Sequence, residues 1–284
     1  MITSTLKLLP KATAELDIII PWSDVKETYD KIFKDVVKSS EIPGFRKGKA
    51  PKKLIEEKVD KTKVYEEVSK EIVPKAYSQS VKTHNLVPVT TPKVEVVEAK
   101  EGGDWKLKIT IALKPKIDLK NYKEKIRELK KSKSAKIWLP GQEKKVKEED
   151  KKPSLDEIIS VLAEHIEIDL SDLLISEEAN KLLADLIDQT KKLGMTVEQY
   201  LAAKGKTTEI LRAEYATQAR KNLTIEFALS EIADKENITV SPEDINKLIE
   251  KVEKPEEKER LKSQSYYLAH LIRQQKTIDY LSNL

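Results

Sequence analysis

The amino-acid sequence predicts an α+β fold, with an N-terminal antiparallel sheet and helices followed by a linker and an all-α C-terminal domain with long helical arms. Alternating apolar and polar residues near both ends of residues 1–120 are typical of half-buried strands. Residues 121–153 are dense in charge and poor in apolar side chains. From residue 154 onward, apolar residues recur at helical spacing. We therefore expect domains over 1–120 and 154–284, joined by a charged linker over 121–153.

The first strands are expected to form a hairpin. The runs 6–8 and 16–20 alternate apolar and polar residues, and Pro10-Lys11 lies between them as a turn. Ser23 is a suitable N-cap for a helix that continues to about Lys38.

The rest of this domain returns to the sheet. A longer helix is expected from about Asp60, and Pro74 should kink or restart it because proline has no backbone N–H. The runs 94–96 and 105–113 alternate again on either side of Glu101-Gly102-Gly103-Asp104. Together these elements predict an antiparallel sheet of about four strands backed by helices.

A basic loop interrupts the predicted helices of this domain; its sequence is Gly44-Phe45-Arg46-Lys47-Gly48-Lys49-Ala50-Pro51. The two glycines allow a tight turn, and proline at the end suits the first position of a helix. Such a loop would hold the aromatic residue and the two cations between the glycines away from the domain. The alternative is a solvated basic turn whose phenylalanine folds back onto the core.

The C-terminal half is predicted to be helical throughout. Ser154 and Ser176 are expected to cap two helices, and Thr196 with Gln199 has capping-box spacing. A long helix should run from about Thr208 to Glu236, which corresponds to roughly 40 Å. Asn237 can terminate this long helix. A further helix is expected after Ser241, with Pro242 at its first position, and another after Pro255.

The basic loop carries a family resemblance. G-F-R-K-G-K-A-P is similar to the ribosome-docking signature of the trigger factor family of bacterial chaperones, G-F-R-x-G-x-x-P, at every fixed position. The stretches 86–96, 198–212 and 231–243 resemble the same family, so the resemblance covers nearly the whole chain except the linker. It implies ribosome binding through Gly44, Phe45, Arg46, Lys47, Gly48 and Pro51.

The linker departs from that family pattern. Trigger factors usually carry a peptidyl-prolyl isomerase domain between the docking and C-terminal domains, whereas only residues 121–153 occupy this place here. The segment lacks alternating strands and an aromatic-lined pocket, so we expect no isomerase activity. Its one apolar island surrounds Trp138, which is expected to pack on a neighbouring domain, with a recognition role as the alternative.

Composition excludes several classes of function. The sequence has no cysteine, which excludes disulfides and thiolate chemistry. His84, His165 and His270 lack the spacing of metal ligands, so we expect no bound metal ion. The sequence also has no glycine-rich phosphate-binding loop, so we expect no cofactor and no enzymatic activity. The sequence shows neither a signal peptide nor a run of about 20 apolar residues, which predicts a soluble, cytoplasmic protein without membrane contact.

Two classes of function remain. The net charge of +4 combines a basic front half with an acidic helical half, which suits docking on a polyanion by the front half alone. The resemblance implies an ATP-independent chaperone that docks near the exit tunnel of the large ribosomal subunit, on protein and RNA, and cradles nascent or unfolded polypeptide. The alternative is a basic RNA- or protein-binding module with a helical assembly scaffold; homodimer formation is left open. For a cradle we expect partly exposed apolar side chains at Ile225, Leu229, Tyr267 and Leu271.

Overall fold

The computed structural model describes residues 1–39, 60–136, 153–250, 252 and 254–284. The chain divides into two compact units, Met1–Lys114 and Pro115–Leu284. We call them the sheet unit and the helical unit. The predicted segment Gly44–Pro51 and Trp138 lie outside the described residues.

The described part of the sheet unit contains four strands and two helices, in the order β1 (Thr3–Leu9), β2 (Thr13–Ile20), α1 (Trp22–Ser39), α2 (Lys61–Thr83), β3 (Lys93–Glu98) and β4 (Trp105–Ala112). The strands pair antiparallel in the order β1-β2-β4-β3. This arrangement confirms the predicted antiparallel sheet with helices.

The period-two pattern of the strands places one face of the sheet against the helices. Leu16 pairs with Ile109, and Ile18 with Leu107, so that four fully or almost fully buried side chains lie on one face of adjacent strands. Helix α2 covers this face with buried apolar residues, among them Val68. Burial of each such side chain contributes about 1.5–3 kcal/mol to folding.

Two local features of the sheet unit follow from backbone chemistry. Lys11 and Ala12 between β1 and β2 have φ values of 59° and 46°, as expected for a tight hairpin turn. Helix α2 was predicted to kink or restart at Pro74; it continues through Pro74 to Thr83, so it does not restart there. One missing N–H removes one hydrogen bond, and burial of Ile72 and Ala76 on either side holds the helix in place.

The described part of the helical unit contains eight helices and a two-residue ribbon: β5 (Ile117–Asp118), α3 (Tyr122–Lys136), α4 (Leu155–His165), β6 (Glu167–Ile168), α5 (Asp172–Lys192), α6 (Val197–Lys204), α7 (Thr208–Lys235), α8 (Pro242–Glu250), α9 (Pro255–Ser263) and α10 (Ser265–Ser282). Its first core is built from α3, α4, α7 and α10. A second cluster joins α5, α6 and α7 through Leu186, Leu201 and Leu211.

Capping signals fix most helix ends of this unit. Ser154 with Glu157, and Thr196 with Gln199, form the capping boxes, and Asn237 takes a positive φ of 53° just after α7. Helix α5 begins earlier than predicted, because Ser171 accepts the N–H of Leu173 while Ser176 lies inside the helix.

The boundary between the two units also differs from the expected position at residue 120. Leu119, Tyr122 and Ile126 are buried in the first core of the helical unit, so this stretch folds with the residues that follow it. Residues 122–136 form α3 rather than an extended linker. The sequence pattern hid this because apolar side chains are sparse among the lysines.

Candidate functional site

The predicted docking segment is flanked by two helices that pack together. Phe33 of α1 and Val64 of α2 are buried in one cluster, and the ring centroids of Tyr29 and Tyr65 lie 5.0 Å apart. Lys31 Nζ of α1 lies 2.6 Å from Glu71 Oε1 of α2. Residues 40–59 therefore connect two helices whose packing is fixed by aromatic and apolar contacts.

The four predicted cradle residues do not share one environment. Leu229 is 5% exposed and belongs to the first core of the helical unit, so the expectation that it is partly exposed is wrong. It faces inward because α7 packs against α4 and α10 at this level. Ile225 is half-buried against the same core. Tyr267 is 58% exposed and Leu271 is 40% exposed, both on α10.

Tyr267 and Leu271 form a pair that we call the α10 apolar surface. They lie four residues apart, so they share one face of the helix. Tyr266, beside them, is 90% exposed. Clustered exposed apolar side chains, unlike single ones, often mark a binding surface.

The other faces of α10 are held to the body of the unit. Leu268, Thr277 and Leu281 are buried. Arg273 Nε donates to the Ile238 carbonyl at 2.8 Å, and its guanidinium lies 2.6 Å from Asp234. The helix is therefore anchored while its apolar surface stays in solvent.

A second anchor holds Lys276 to the cap of α8. Lys276 Nζ lies 2.6 Å from Asp244 Oδ2, and Asp244 also accepts the backbone N–H of Ser241 at 2.9 Å. The Lys276 hydrogen bond is the largest of the effects that lower the pKa of Asp244 to about 2.

A third anchor joins three helices at the carboxylate of Glu236, just after α7. It accepts hydrogen bonds from Tyr122 Oη at 2.9 Å, Tyr280 Oη at 2.7 Å and Lys123 Nζ at 2.8 Å. These bonds, Lys123 first, lower the pKa of Glu236 to about 2. Burial, together with the bond to Glu236, raises the pKa of Tyr122 above its ordinary value. Sequence reasoning missed this cluster, since its members lie far apart in the chain and form no motif.

The three histidines have ordinary surroundings. A ring nitrogen of His84 lies 3.0 Å from Ser4 Oγ, and His165 Nδ1 lies 3.0 Å from the Val161 carbonyl. His270 Nε2 is 4.0 Å from Glu226. In the part of the chain that the structure describes, no group of three His, Asp or Glu side chains is placed to hold a metal ion. Among the same residues, no helix is both long and apolar enough to cross a membrane.

The fold and these surfaces define a class: proteins that join an antiparallel α+β unit to a helical unit with an exposed apolar helix face. Family models identify the class. "Bacterial trigger factor protein (TF)" matches residues 1–158, and "Bacterial trigger factor protein (TF) C-terminus" matches residues 141–283. The chain belongs to the bacterial trigger factor family. The two matches overlap, so the chain carries the N- and C-terminal parts of the family without the isomerase domain.

Relatives and a solved structure agree with this assignment. The chain is 32% identical to the trigger factor of Natranaerobius thermophilus over 121 residues, 43% of this chain and 27% of that protein. Identity to the trigger factor of Staphylococcus epidermidis is 28% over 151 residues, 53% and 32% of the two chains. The chain thus spans about a quarter to a third of these relatives.

The likeness to a solved structure extends over the whole fold. That structure, described as "Promiscuous Substrate Recognition in Folding and Assembly Activities of the Trigger Factor Chaperone", matches with a TM-score of 0.64 and 13% identity over 99% of both chains. At this identity the match establishes the fold.

Proposed function

We propose that the protein is an ATP-independent molecular chaperone of the cytoplasm that binds nascent or unfolded polypeptide. The main observation in support of this function is the α10 apolar surface, in which Tyr267 and Leu271 stay exposed on a helix that is anchored on its other faces. Membership of the trigger factor family supports the same function. The alternative, a helical scaffold without chaperone activity, would require these side chains to be covered.

Binding through such a surface suits clients of unrelated sequence. Apolar contact is non-directional and contributes about 25 cal/mol per Å² of buried apolar area, so a small patch binds weakly and releases readily. No nucleotide is then needed to reset the site. Glu226 on α7, which lies 4.0 Å from His270 of α10, adds to the negative charge of this unit, which disfavours contact with RNA.

Docking is assigned to the sheet unit. We propose that Phe45, Arg46 and Lys47 contact the large ribosomal subunit near the exit tunnel, with the cations meeting phosphates or acidic side chains and the phenylalanine filling an apolar recess. Replacing all three by alanine should abolish co-sedimentation with ribosomes, and added salt should weaken wild-type binding. Undiminished binding by the triple variant would remove this part of the proposal.

The proposed activity is binding without catalysis. We expect no acceleration of cis–trans exchange at an X–Pro bond of a short peptide. The uncatalysed exchange takes roughly tens to hundreds of seconds, so even modest catalysis would be detected. A rate increase that survives repurification would contradict this. Analytical ultracentrifugation of the full chain measures directly whether it forms a homodimer.

The chaperone proposal is tested by the aggregation of a chemically denatured protein on dilution, without ATP. An equimolar amount of the full chain should delay aggregation, and Y267E/L271E should protect less. V87E/V97E is the matched control, because Val87 and Val97 are 67% and 63% exposed on the sheet unit and the change also adds two negative charges. Absent protection by the wild-type chain would refute the function, and equal protection by all variants would refute the role of the α10 apolar surface.

A further inference from the structure

An open groove runs between helices α5 and α7 of the helical unit. It is distinct from the α10 apolar surface. Its volume is about 460 Å³, and Ile175, Ala179, Leu183 and Ala216 supply its apolar lining. Ile175 and Ala179 are each 7% exposed, so they form a floor rather than a rim. We call it the α5/α7 groove.

Two arginines of α7 give this groove a positive charge. Arg212 and Arg220 both line it and are exposed. Among the described residues, neither guanidinium lies within ion-pair distance of a carboxylate. Glu209, one turn before Arg212, is hydrogen-bonded to the helix N-terminus and the cap residue Thr207, and its interaction with Arg212 is a weaker, through-space one.

The groove therefore differs in charge from the rest of the unit. Asp172 is the one carboxylate that lines it in the described part of the chain, against two guanidinium groups. Residues 154–284 as a whole contain more Asp and Glu than Lys and Arg. A guanidinium left in solvent beside an apolar floor can form charge-assisted, bidentate hydrogen bonds with an incoming carboxylate.

We propose that the α5/α7 groove binds an extended segment of a client polypeptide that carries two acidic side chains four residues apart. This assignment rests on the proposed chaperone function and names the class of segment that the groove selects. Charge complementarity favours carboxylates, and the floor favours small or apolar side chains between them.

The spacing follows from helix and strand geometry. Arg212 and Arg220 are eight residues apart, which corresponds to about 12 Å along α7. An extended chain advances about 3.3 Å per residue, and its residues i and i+4 lie on the same face about 13 Å apart. Residues i and i+3 point to opposite faces of a strand, and residues i and i+4 of a helix are only about 6 Å apart along its axis. The extended i, i+4 pair therefore matches the separation of the two arginines with the shortest segment of client chain.

A second cavity adjoins the groove at Arg220 and has a volume of about 620 Å³. Its lining combines the carboxylates of Asp118, Glu167 and Asp169 with the cations of Lys116 and Arg220. Lys120 pairs with Glu167 as well, so positive and negative charges nearly balance there. The attraction for acidic side chains is therefore assigned to the α5/α7 groove alone.

The test measures binding of short capped peptides to the full chain by fluorescence anisotropy. The first peptide carries glutamates at i and i+4 among alanine and valine, the second has glutamine at both places, and the third moves the pair to i and i+3. We expect the first to bind most tightly. R212Q/R220Q should weaken that binding by roughly 5- to 30-fold, since each exposed ion pair is worth up to about 1 kcal/mol.

R127Q/R260Q is the matched control, because Arg127 and Arg260 are exposed, lie outside the groove and carry the same charge. It should bind the first peptide as the wild type does. Equal affinity for all three peptides, or equal losses in both double variants, would overturn the proposal. Aggregation assays on the same proteins separate the two hypotheses: protection without spacing-dependent binding refutes the groove alone, and peptide binding without protection refutes the chaperone function alone.

Discussion

Replacing Glu236 by glutamine probes the anchor that joins α3, α7 and α10. The carboxylate accepts hydrogen bonds from Tyr122, Lys123 and Tyr280. Glutamine keeps one acceptor oxygen but removes the charge, and the NH2 group that replaces the second oxygen accepts no hydrogen bond. We expect the variant to fold with a lower free energy of unfolding.

The magnitude follows from the pKa of Glu236. A fall from 4.5 to about 2 corresponds to about 3 kcal/mol in favour of the charged form, since a tenfold change in proton affinity is about 1.4 kcal/mol. The side chain is 16% exposed, and solvent screening reduces this value. We therefore expect a loss of about 1–3 kcal/mol at neutral pH, which lowers the Tm by about 3–10 °C for a unit of this size.

The pH dependence has a definite sign. Because the folded pKa is lower than the unfolded one, the stabilisation is fully present above about pH 4.5 and is lost as the pH falls toward 2. The difference between wild type and E236Q, measured by urea unfolding with circular dichroism, should shrink over that range.

The matched control for this experiment is E226Q on the same helix. The Glu226 side chain is 52% exposed, and the His270 ring nitrogen lies 4.0 Å from its carboxylate. Its loss should be within about 0.5 kcal/mol of zero. A pH-independent loss in E236Q, or an equal loss in E226Q, would refute the reasoning.

Three further predictions concern local stability. In D244N, the amides of α8 should exchange faster than in E243Q, and the difference should fade as the pH drops from about 4 toward 2, since the pKa of Asp244 is about 2. The indole Nε1 of Trp105 is buried without a hydrogen-bond partner among the described residues, so W105F should change the free energy of unfolding by less than about 1.5 kcal/mol, whereas W105A should cost about 3–5 kcal/mol. Gly205 ends α6 with φ of 62°, so G205A should cost about 1 kcal/mol in urea unfolding, and G103A, whose added Cβ meets only ordinary contacts, should cost less. Equal effects in any of these pairs would contradict the corresponding argument.

The sequence predicted the elements whose signals are local. Strand alternation identified β2 and β4, and side-chain caps identified the starts of α4 and α6. The start of α5 was misplaced because Ser171 and Ser176 are equally good caps by residue type. The burial of Leu174 and Ile175 and the hydrogen bond from the Leu173 N–H to Ser171 distinguish them in the fold.

Features that depend on long-range packing were not predictable. The burial of Leu229 and the exposure of Leu271 come from positions with the same helical spacing, so the pattern could not separate core from surface. The Glu236 cluster and the α5/α7 groove bring together residues that are distant in sequence. The family resemblance supplied the docking residues Phe45, Arg46 and Lys47, which stay a prediction because they lie outside the described residues.

Site-specific photo-cross-linking tests the central claim most directly, namely that an unfolded client contacts the α10 apolar surface. A photoreactive phenylalanine analogue is placed at Tyr267 in one full-length variant and at Val87 in another, because both positions are exposed but lie in different units. Each variant is illuminated with a denatured client during dilution, without ATP. The account predicts a strong cross-link from position 267 and a much weaker one from position 87. Equal cross-linking at both positions, or none at 267, would contradict it.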